Sequence, residues 1–290
     1  MEREIIRKII IEGQEFVNEI PLIKRPFFFE KNGNYVFVGI RQAGKSYLLY
    51  QRIQQLIEEG HSIEEMVYIN FDDERLRQFT THDFDLILQA YASMFNLRPI
   101  LFFDEIQNIE GWENFARRLA NQKYNVYITG SNAKMLSREI ATTLGGRYWN
   151  ADVYPYSFFE YLKAKNITLA TNWMYGKQSA EVSKLFNDYF SFGGFPELVD
   201  IIAKRAWLND VYSKIFFSDL IVRNKIRNEE AMGLLVKRLA EGVKQPVSHT
   251  RLANLISTAG IKISKATIID FIFKGIMPTF SVRELCSEVC

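Results

Sequence analysis

The chain has 290 residues, 48% of them hydrophobic and 24% charged, and a formal net charge of +2. Those proportions belong to a folded globular protein and exclude a disordered or fibrous one, and the length suffices for one large domain with one or two small ones. No apolar run reaches the roughly 20 residues that a bilayer-crossing helix needs, no signal-peptide core opens the chain, and the only cysteines, Cys286 and Cys290, exclude a disulfide framework. The expected location is the cytoplasm.

In chain order, the first strong signal is the short apolar run Tyr35-Val-Phe-Val, which ends in Gly39 and is followed, from Ser46 to Glu59, by apolar residues at helical spacing. That reads as strand, glycine loop, helix. The run Gly39-Ile40-Arg41-Gln42-Ala43-Gly44-Lys45-Ser46 between them fits G-x-x-x-x-G-K-[ST] at every fixed position. Glycines let such a loop turn its N–H groups inward around phosphates, and the following helix adds its positive end. Lys45 is then the cation for the β- and γ-phosphates, Ser46 a hydroxyl ligand for Mg²⁺, and Gly39 to Tyr47 the nucleotide-binding segment. Arg25 and Pro26, just upstream, read either as contacts to the base or ribose or as an exposed turn.

Met66 to Phe71, Pro99 to Phe103 and Asn125 to Thr129 are three further short apolar runs separated by helical stretches. This alternation predicts an α/β fold: a P-loop NTPase parallel sheet with helices on both faces. The second run delivers Asp104 and Glu105 at a strand's C-terminal end, the edge where open α/β sheets bind ligands. Asp104 is the candidate Mg²⁺ ligand, acting through the ion's water shell, and Glu105 the candidate general base that polarises the attacking water. Ser131 and Asn132, after the third run, either sense the γ-phosphate or cap the helix that follows.

From about Tyr154 the pattern becomes helical, punctuated by Gly193-Gly194-Phe195-Pro196. Gln245 to Ile276 then carries two short helical patterns, Thr250 to Thr258 and Ser264 to Phe273, at helix-turn-helix spacing. Residues 1–200 hold 22 Lys+Arg and 26 Asp+Glu, a net −4, whereas residues 201–290 hold 14 and 8, a net +6. A basic tail suits nucleic acid and equally a solvated helical surface. Double-stranded DNA is the candidate partner for 245–276, with Ser264, Lys265 and Thr267 at the exposed start of the second helix; packing on the lid or on a neighbouring subunit is the competing reading.

The runs Val38-Gly-Ile-Arg-Gln-Ala-Gly-Lys-Ser, Tyr68-Ile-Asn-Phe-Asp-Asp-Glu-Arg-Leu, Leu101-Phe-Phe-Asp-Glu-Ile-Gln, Ile128-Thr-Gly-Ser-Asn and Gly193-Gly-Phe-Pro-Glu together resemble the AAA-type P-loop ATPases of bacteria and archaea. The similarity extends over Leu136 to Arg147 and over Tyr212 to Arg227. The resemblance implies ATP with Mg²⁺ as the cofactors. It implies a sheet in which the strand ending at Ser131 lies between the P-loop strand and the Asp104 strand, followed by a helical lid and a winged-helix-like segment. The domain ranges are then 1–153 for the P-loop domain, 154–240 for the lid and 241–290 for the winged helix. Members of the family continue past this point with a strand-rich wing and often a nuclease-like domain; Lys274 to Cys290 fits neither, which reads as a truncation or a frameshifted tail.

Arg147, which follows the turn Gly145-Gly146, is the candidate arginine finger acting in trans within a homo-oligomer, with Arg138 the weaker alternative. A cis contact or a surface ion pair is the plain alternative for Arg147. The expected function is an ATP-hydrolysing switch or motor that couples nucleotide state to a macromolecular partner. A slow nucleotide-dependent sensor would carry the same motifs. A small-molecule kinase would have no need of Glu105, because its nucleophile comes from the substrate.

Overall fold

The computed structural model describes residues 2–131, 142–222, 224–242 and 247–272. The chain divides into two compact units between Asp200 and Ile201. Among the described residues no helix is long and apolar enough to cross a membrane.

The first unit is built on a five-stranded sheet of β1 (Tyr35–Gly39), β2 (Met66–Asn70), β3 (Ile100–Asp104), β4 (Val126–Ser131) and β5 (Trp149–Asp152). The order is β2-β3-β4-β1-β5 and every pairing is parallel. The strand ending at Ser131 therefore lies between the P-loop strand and the Asp104 strand, as the resemblance implied. Parallel strands need crossovers, and the crossover helices bury both faces, so β1 and β3 are apolar at successive positions rather than at alternate ones.

Strand alternation divides those residues between two cores. Val36, Val38, Leu101, Phe103, Val126 and Ile128 face the side covered by α3 (Phe84–Ala92), α4 (Trp112–Asn121) and most of α1 (Arg3–Glu19). Tyr35, Phe37, Phe102 and Tyr127 face α2 (Lys45–Glu58). On that second face Tyr35, Tyr127 and Phe102 stack in series, with ring centroids 5.9 Å and 4.8 Å apart. Truncating Phe102 to alanine would cost about 3–5 kcal/mol through the cavity it leaves.

Two elements of the unit lie outside the runs read from the sequence. The helix α1 buries Ile6, Ile9, Ile10 and Val17 at helical spacing. Gln14 on the same helix reaches the carbonyl of Met66 at 2.9 Å. The short edge strand β5 is mostly exposed and lacks an apolar run; it is fixed by its pairing with β1.

Two further helices, α5 (Phe158–Ala164) and α6 (Gln178–Phe192), belong to this first unit. They enclose a small core of Tyr156, Tyr161, Tyr189 and Val199. The expected domain boundary at 153/154 and the lid range 154–240 do not coincide with this division, because residues 154–200 pack beside the phosphate loop through contacts described below.

The described residues of the second unit are helical. Helix α7 (Lys204–Lys214) runs into a π-helical stretch at Ile215–Val222, and α8 (Glu229–Glu241), α9 (His249–Thr258) and α10 (Lys265–Asp270) follow. Its core holds Leu220, Met232, Leu235, Leu252, Ile256 and Ile268. Ser248 and Ser264 cap α9 and α10 by accepting from the N–H groups of Arg251 and Thr267, which sets the two helix starts expected from the sequence. A wing after α10 would fall in residues outside those described.

Candidate nucleotide-binding site

The phosphate loop joins β1 to α2. Gly39 ends the strand against the carbonyl oxygen of Val153, which occupies the place a Cβ would need, so only glycine fits. Gly44 sits at φ +94° as the N-cap of α2, a left-handed conformation that favours glycine. Gln42 also has positive φ, at 63°. Between them the loop doubles back on itself, and the helix that starts at Lys45 adds the positive end of its dipole.

The Lys45 side chain is buried; its Nζ donates to the carbonyls of Gly39 at 3.2 Å and Ile40 at 3.0 Å and lies 3.8 Å from Glu105 Oε1. The ammonium is thus held at the centre of the loop, where the chemistry of the motif places the cation for a polyphosphate. Ser46 occupies the first turn of α2 and is half-buried, while Tyr47 after it is exposed.

Opposite the loop, β3 delivers both carboxylates. Asp104 is 1% exposed. Its Oδ2 accepts from Tyr68 at 2.8 Å, and its Oδ1 accepts from the hydroxyl of Thr129. Strict strand alternation would send Glu105 to the other face. The chain avoids this by turning Glu105 into the left-handed region at φ 51°, and its N–H donates to Thr129 Oγ1 at 3.0 Å. A non-glycine residue in that region costs free energy and is found where surrounding contacts over-determine it, commonly at functional sites. Gln107 donates to Glu105 Oε2. Burial pushes the Glu105 carboxyl above its ordinary range and outweighs the Lys45 cation opposite it, which makes the group a stronger proton acceptor when ionised.

Thr129 is the residue at this strand end that sequence reasoning missed. Ile128 pairs with Phe103, so Thr129 lies level with Asp104, and its hydroxyl is shared between Asp104 and the Glu105 amide. A threonine directly after the apolar run Val126-Tyr127-Ile128 was the available signal, but it acquires meaning only with the register. Ser131 closes β4 opposite Gly39, and Asn132 and Arg138 lie outside the described residues.

Of two basic residues, Arg25 is placed differently from both of its readings, and Arg147 lies away from its own loop. Arg25 is neither an exposed turn nor an arm free to reach a base. Its Nε donates to Glu160 at 2.7 Å, its Nη1 to the Ala43 carbonyl in the phosphate loop at 3.2 Å, and its guanidinium lies 5.4 Å from the Tyr156 ring centre. Its backbone N–H and carbonyl both bond to the side-chain amide of Gln51 on α2, at 2.7 Å and 3.0 Å. Pro26 is exposed. Arg147 is not brought to Lys45 in its own chain. Its Nε donates to Asn121 at 2.6 Å, and its carbonyl accepts from Asn34 at 3.4 Å, which fixes it at the edge where the strands begin.

Among the described residues no three His, Cys, Asp or Glu side chains gather to hold a metal by themselves. A serine hydroxyl and one carboxylate across a phosphate-binding loop are instead what Mg²⁺ uses, since it keeps several waters and takes substrate phosphates as ligands. Ser46 and Asp104 fit that role.

Residues 31–162, which contain the loop, both carboxylates and Arg147, match the AAA domain family. That stretch is similar to an AAA domain, and its loop and strand order are those of the P-loop fold. Beyond this domain the chain is similar to the "Uncharacterized protein MJ1544" of Methanocaldococcus jannaschii, with 33% identity over 273 residues that cover 92% of this chain and 60% of the relative. It is similar as well to an uncharacterized protein of Haemophilus influenzae, with 30% identity over 269 residues, 91% of this chain and 64% of the relative. The chain therefore spans about three fifths of the length of these relatives. A solved structure of the replication initiator DnaA bound to AMPPCP and single-stranded DNA aligns over 98% of this chain and 93% of its own, with 13% identity and a TM-score of 0.34.

Proposed function

We propose that the AAA domain binds ATP with Mg²⁺ and hydrolyses it, and that the nucleotide state is passed to a macromolecular partner. The observation that carries this reading is the convergence of Lys45, Asp104, Glu105 and Thr129 at the C-terminal edge of the sheet. In this reading Gly39 to Tyr47 hold the phosphates, and Ser46 and Asp104 hold Mg²⁺. Glu105 takes the proton of the attacking water, and Ser131 and Asn132 sense the γ-phosphate. Adenine as the base and Arg147 as a finger in trans, and hence a homo-oligomer, belong to the same reading.

Double-stranded DNA is the candidate partner through 245–276. Ser264 and Lys265 are exposed at the start of α10, but the Ser264 and Thr267 hydroxyls bond each other at 2.8 Å, so both already serve the cap. Any affinity should rest on backbone charge and fall steeply with salt.

A slow sensor is the second reading, favoured by the two contacts already made by the Glu105 carboxylate, to Gln107 and Lys45. Phosphate release measured with and without duplex DNA tests both. Turnover abolished by Glu105→Gln supports hydrolysis, stimulation by DNA supports the partner, and nucleotide binding with no release above that of Glu105→Gln supports the sensor.

A further inference from the structure

The run Tyr68-Ile-Asn-Phe-Asp-Asp-Glu-Arg-Leu contains no phosphate-binding or catalytic pattern, yet it lies along the strand next to β3. The Phe71 N–H donates to the Asp104 carbonyl at 2.9 Å. Asn108 in turn donates to Asp72 Oδ1 at 2.5 Å and to the Phe71 carbonyl at 3.3 Å. The end of β2 thereby holds the segment that carries both carboxylates.

Tyr68 extends this hold to the Asp104 side chain. Its ring packs at 5.2 Å from that of Tyr50 on α2, and Gly13 of α1 lets α1 approach so closely that a Cβ there would lie 3.3 Å from Tyr68 Cδ1. A phenylalanine would fill the same space. The hydroxyl is buried nonetheless, and a buried hydroxyl is costly unless it is bonded. It has two partners: it donates to Asp104 Oδ2 at 2.8 Å and lies 2.9 Å from the hydroxyl of Tyr50. Since the single Tyr68 proton is given to the carboxylate, Tyr50 is the donor in the second bond. Tyr50 stands five residues after Lys45 on the same helix.

We infer that Tyr68 and Tyr50 are positioning residues for the metal: a buried hydroxyl chain that fixes the rotation of the Asp104 carboxylate for hydrated Mg²⁺ and ties it to α2, the helix that supplies Lys45 and Ser46. The inference rests on the reading of Asp104 as the magnesium ligand. Carboxylates that ligate metals are characteristically held by such outer hydrogen bonds, whose loss costs 10–100-fold in metal affinity or activity.

The test is a Mg²⁺ titration of binding of a fluorescent ATP analogue to the full chain, with Mn²⁺ binding to the protein–nucleotide complex followed in parallel by paramagnetic resonance. Tyr68→Phe is expected to raise the metal concentration at half-saturation by about 10-fold or more, with metal-free nucleotide affinity unchanged. Tyr50→Phe is expected to shift it less, in the same direction. Thermal melts establish that each variant is folded, and Tyr50→Phe, which removes one bond further from the site, decides the matter should Tyr68→Phe not fold. A parental metal requirement in the folded tyrosine variants overturns the inference and leaves the magnesium reading standing. Equal weakening of metal-free and metal-bound affinities also overturns it, since that is a structural effect. A parent protein whose nucleotide binding ignores Mg²⁺, or an Asp104→Asn variant with the parental metal requirement, overturns the magnesium reading and the inference with it.

Discussion

Arg25 and Glu160 form a 2.7 Å ion pair whose side chains are only 13% and 10% exposed, joining the segment before β1 to the first turn of α5. The same guanidinium holds the Ala43 carbonyl of the phosphate loop. Glu160 is also the return partner in the cap of α5, where its Oε2 accepts from the Ser157 N–H at 2.8 Å. One carboxylate therefore serves the helix start and the loop together. Removing Arg25 would leave that charge shielded and unpaired, a change that costs about 3–5 kcal/mol for a buried pair. Arg25→Ala is expected to lower the melting temperature markedly and to weaken nucleotide binding through the loosened loop, whereas Arg25→Lys retains charge but loses the forked contact to Glu160 and Ala43. Calorimetry with and without nucleotide separates the two effects.

The same pair sets a pH dependence. Burial raises the Glu160 carboxyl, but the hydrogen bonds from Arg25 and Ser157 outweigh it and hold it below the usual range. A group depressed in the folded state contributes stability above its unfolded pKa, about 4.3 for glutamate, and that contribution is lost as pH falls through the folded value. The melting temperature should therefore drop as the solution is acidified below about pH 4, and Glu160→Gln should flatten that part of the profile while lowering stability at neutral pH. A parallel profile in parent and variant would remove Glu160 from this role.

The phosphate loop and Glu105, the proposed general base, make separable predictions. Lys45→Ala should abolish nucleotide binding in titration calorimetry, because the loop loses the cation at its centre. Glu105→Gln should bind normally and turn over about 10²–10⁴-fold more slowly, the range of a lost general base. Thr129→Val keeps the shape of the side chain and removes the hydroxyl shared by Asp104 and the Glu105 amide. Binding should persist and turnover should fall, and a variant hydrolysing at the parental rate would leave Thr129 as a packing residue.

The loop, the two carboxylates and the parallel sheet were legible because each rests on local pattern: a glycine spacing, an apolar run ending in acids, and buried strands separated by helices. Thr129, Tyr68 and Arg25 were not, since their importance comes from register and from contacts between segments distant in the chain. Tyr68 meets Asp104 only because β2 pairs with β3, and Arg25 meets Glu160 across 135 positions. The edge strand β5 escaped for a related reason. It has no apolar run and is defined by hydrogen bonds to β1 alone.

The role proposed for Arg147 depends on a second copy of the chain. It is exposed, and it precedes β5 at the edge where the strands begin, while Lys45 follows β1 at the edge where they end. Five residues of strand separate the two edges by about 16 Å, more than an arginine side chain can span, which removes a cis contact with the chain's own phosphates. A guanidinium supplied to a neighbour's γ-phosphate stabilises transition-state charge and is worth about 10³–10⁵ in turnover. Arg147→Ala should therefore lose hydrolysis while its own loop still binds nucleotide, and Lys45→Ala should lose both. Mixing the two inactive variants should restore part of the activity, because the Lys45→Ala subunit lends its Arg147 to the intact loop of the other. Parental activity should also rise with protein concentration until the oligomer is formed. If the mixture stays inactive and turnover per subunit is independent of concentration, the contacts of Arg147 to Asn121 and to the Gly145 carbonyl are its whole role, holding the end of α4 to the start of β5.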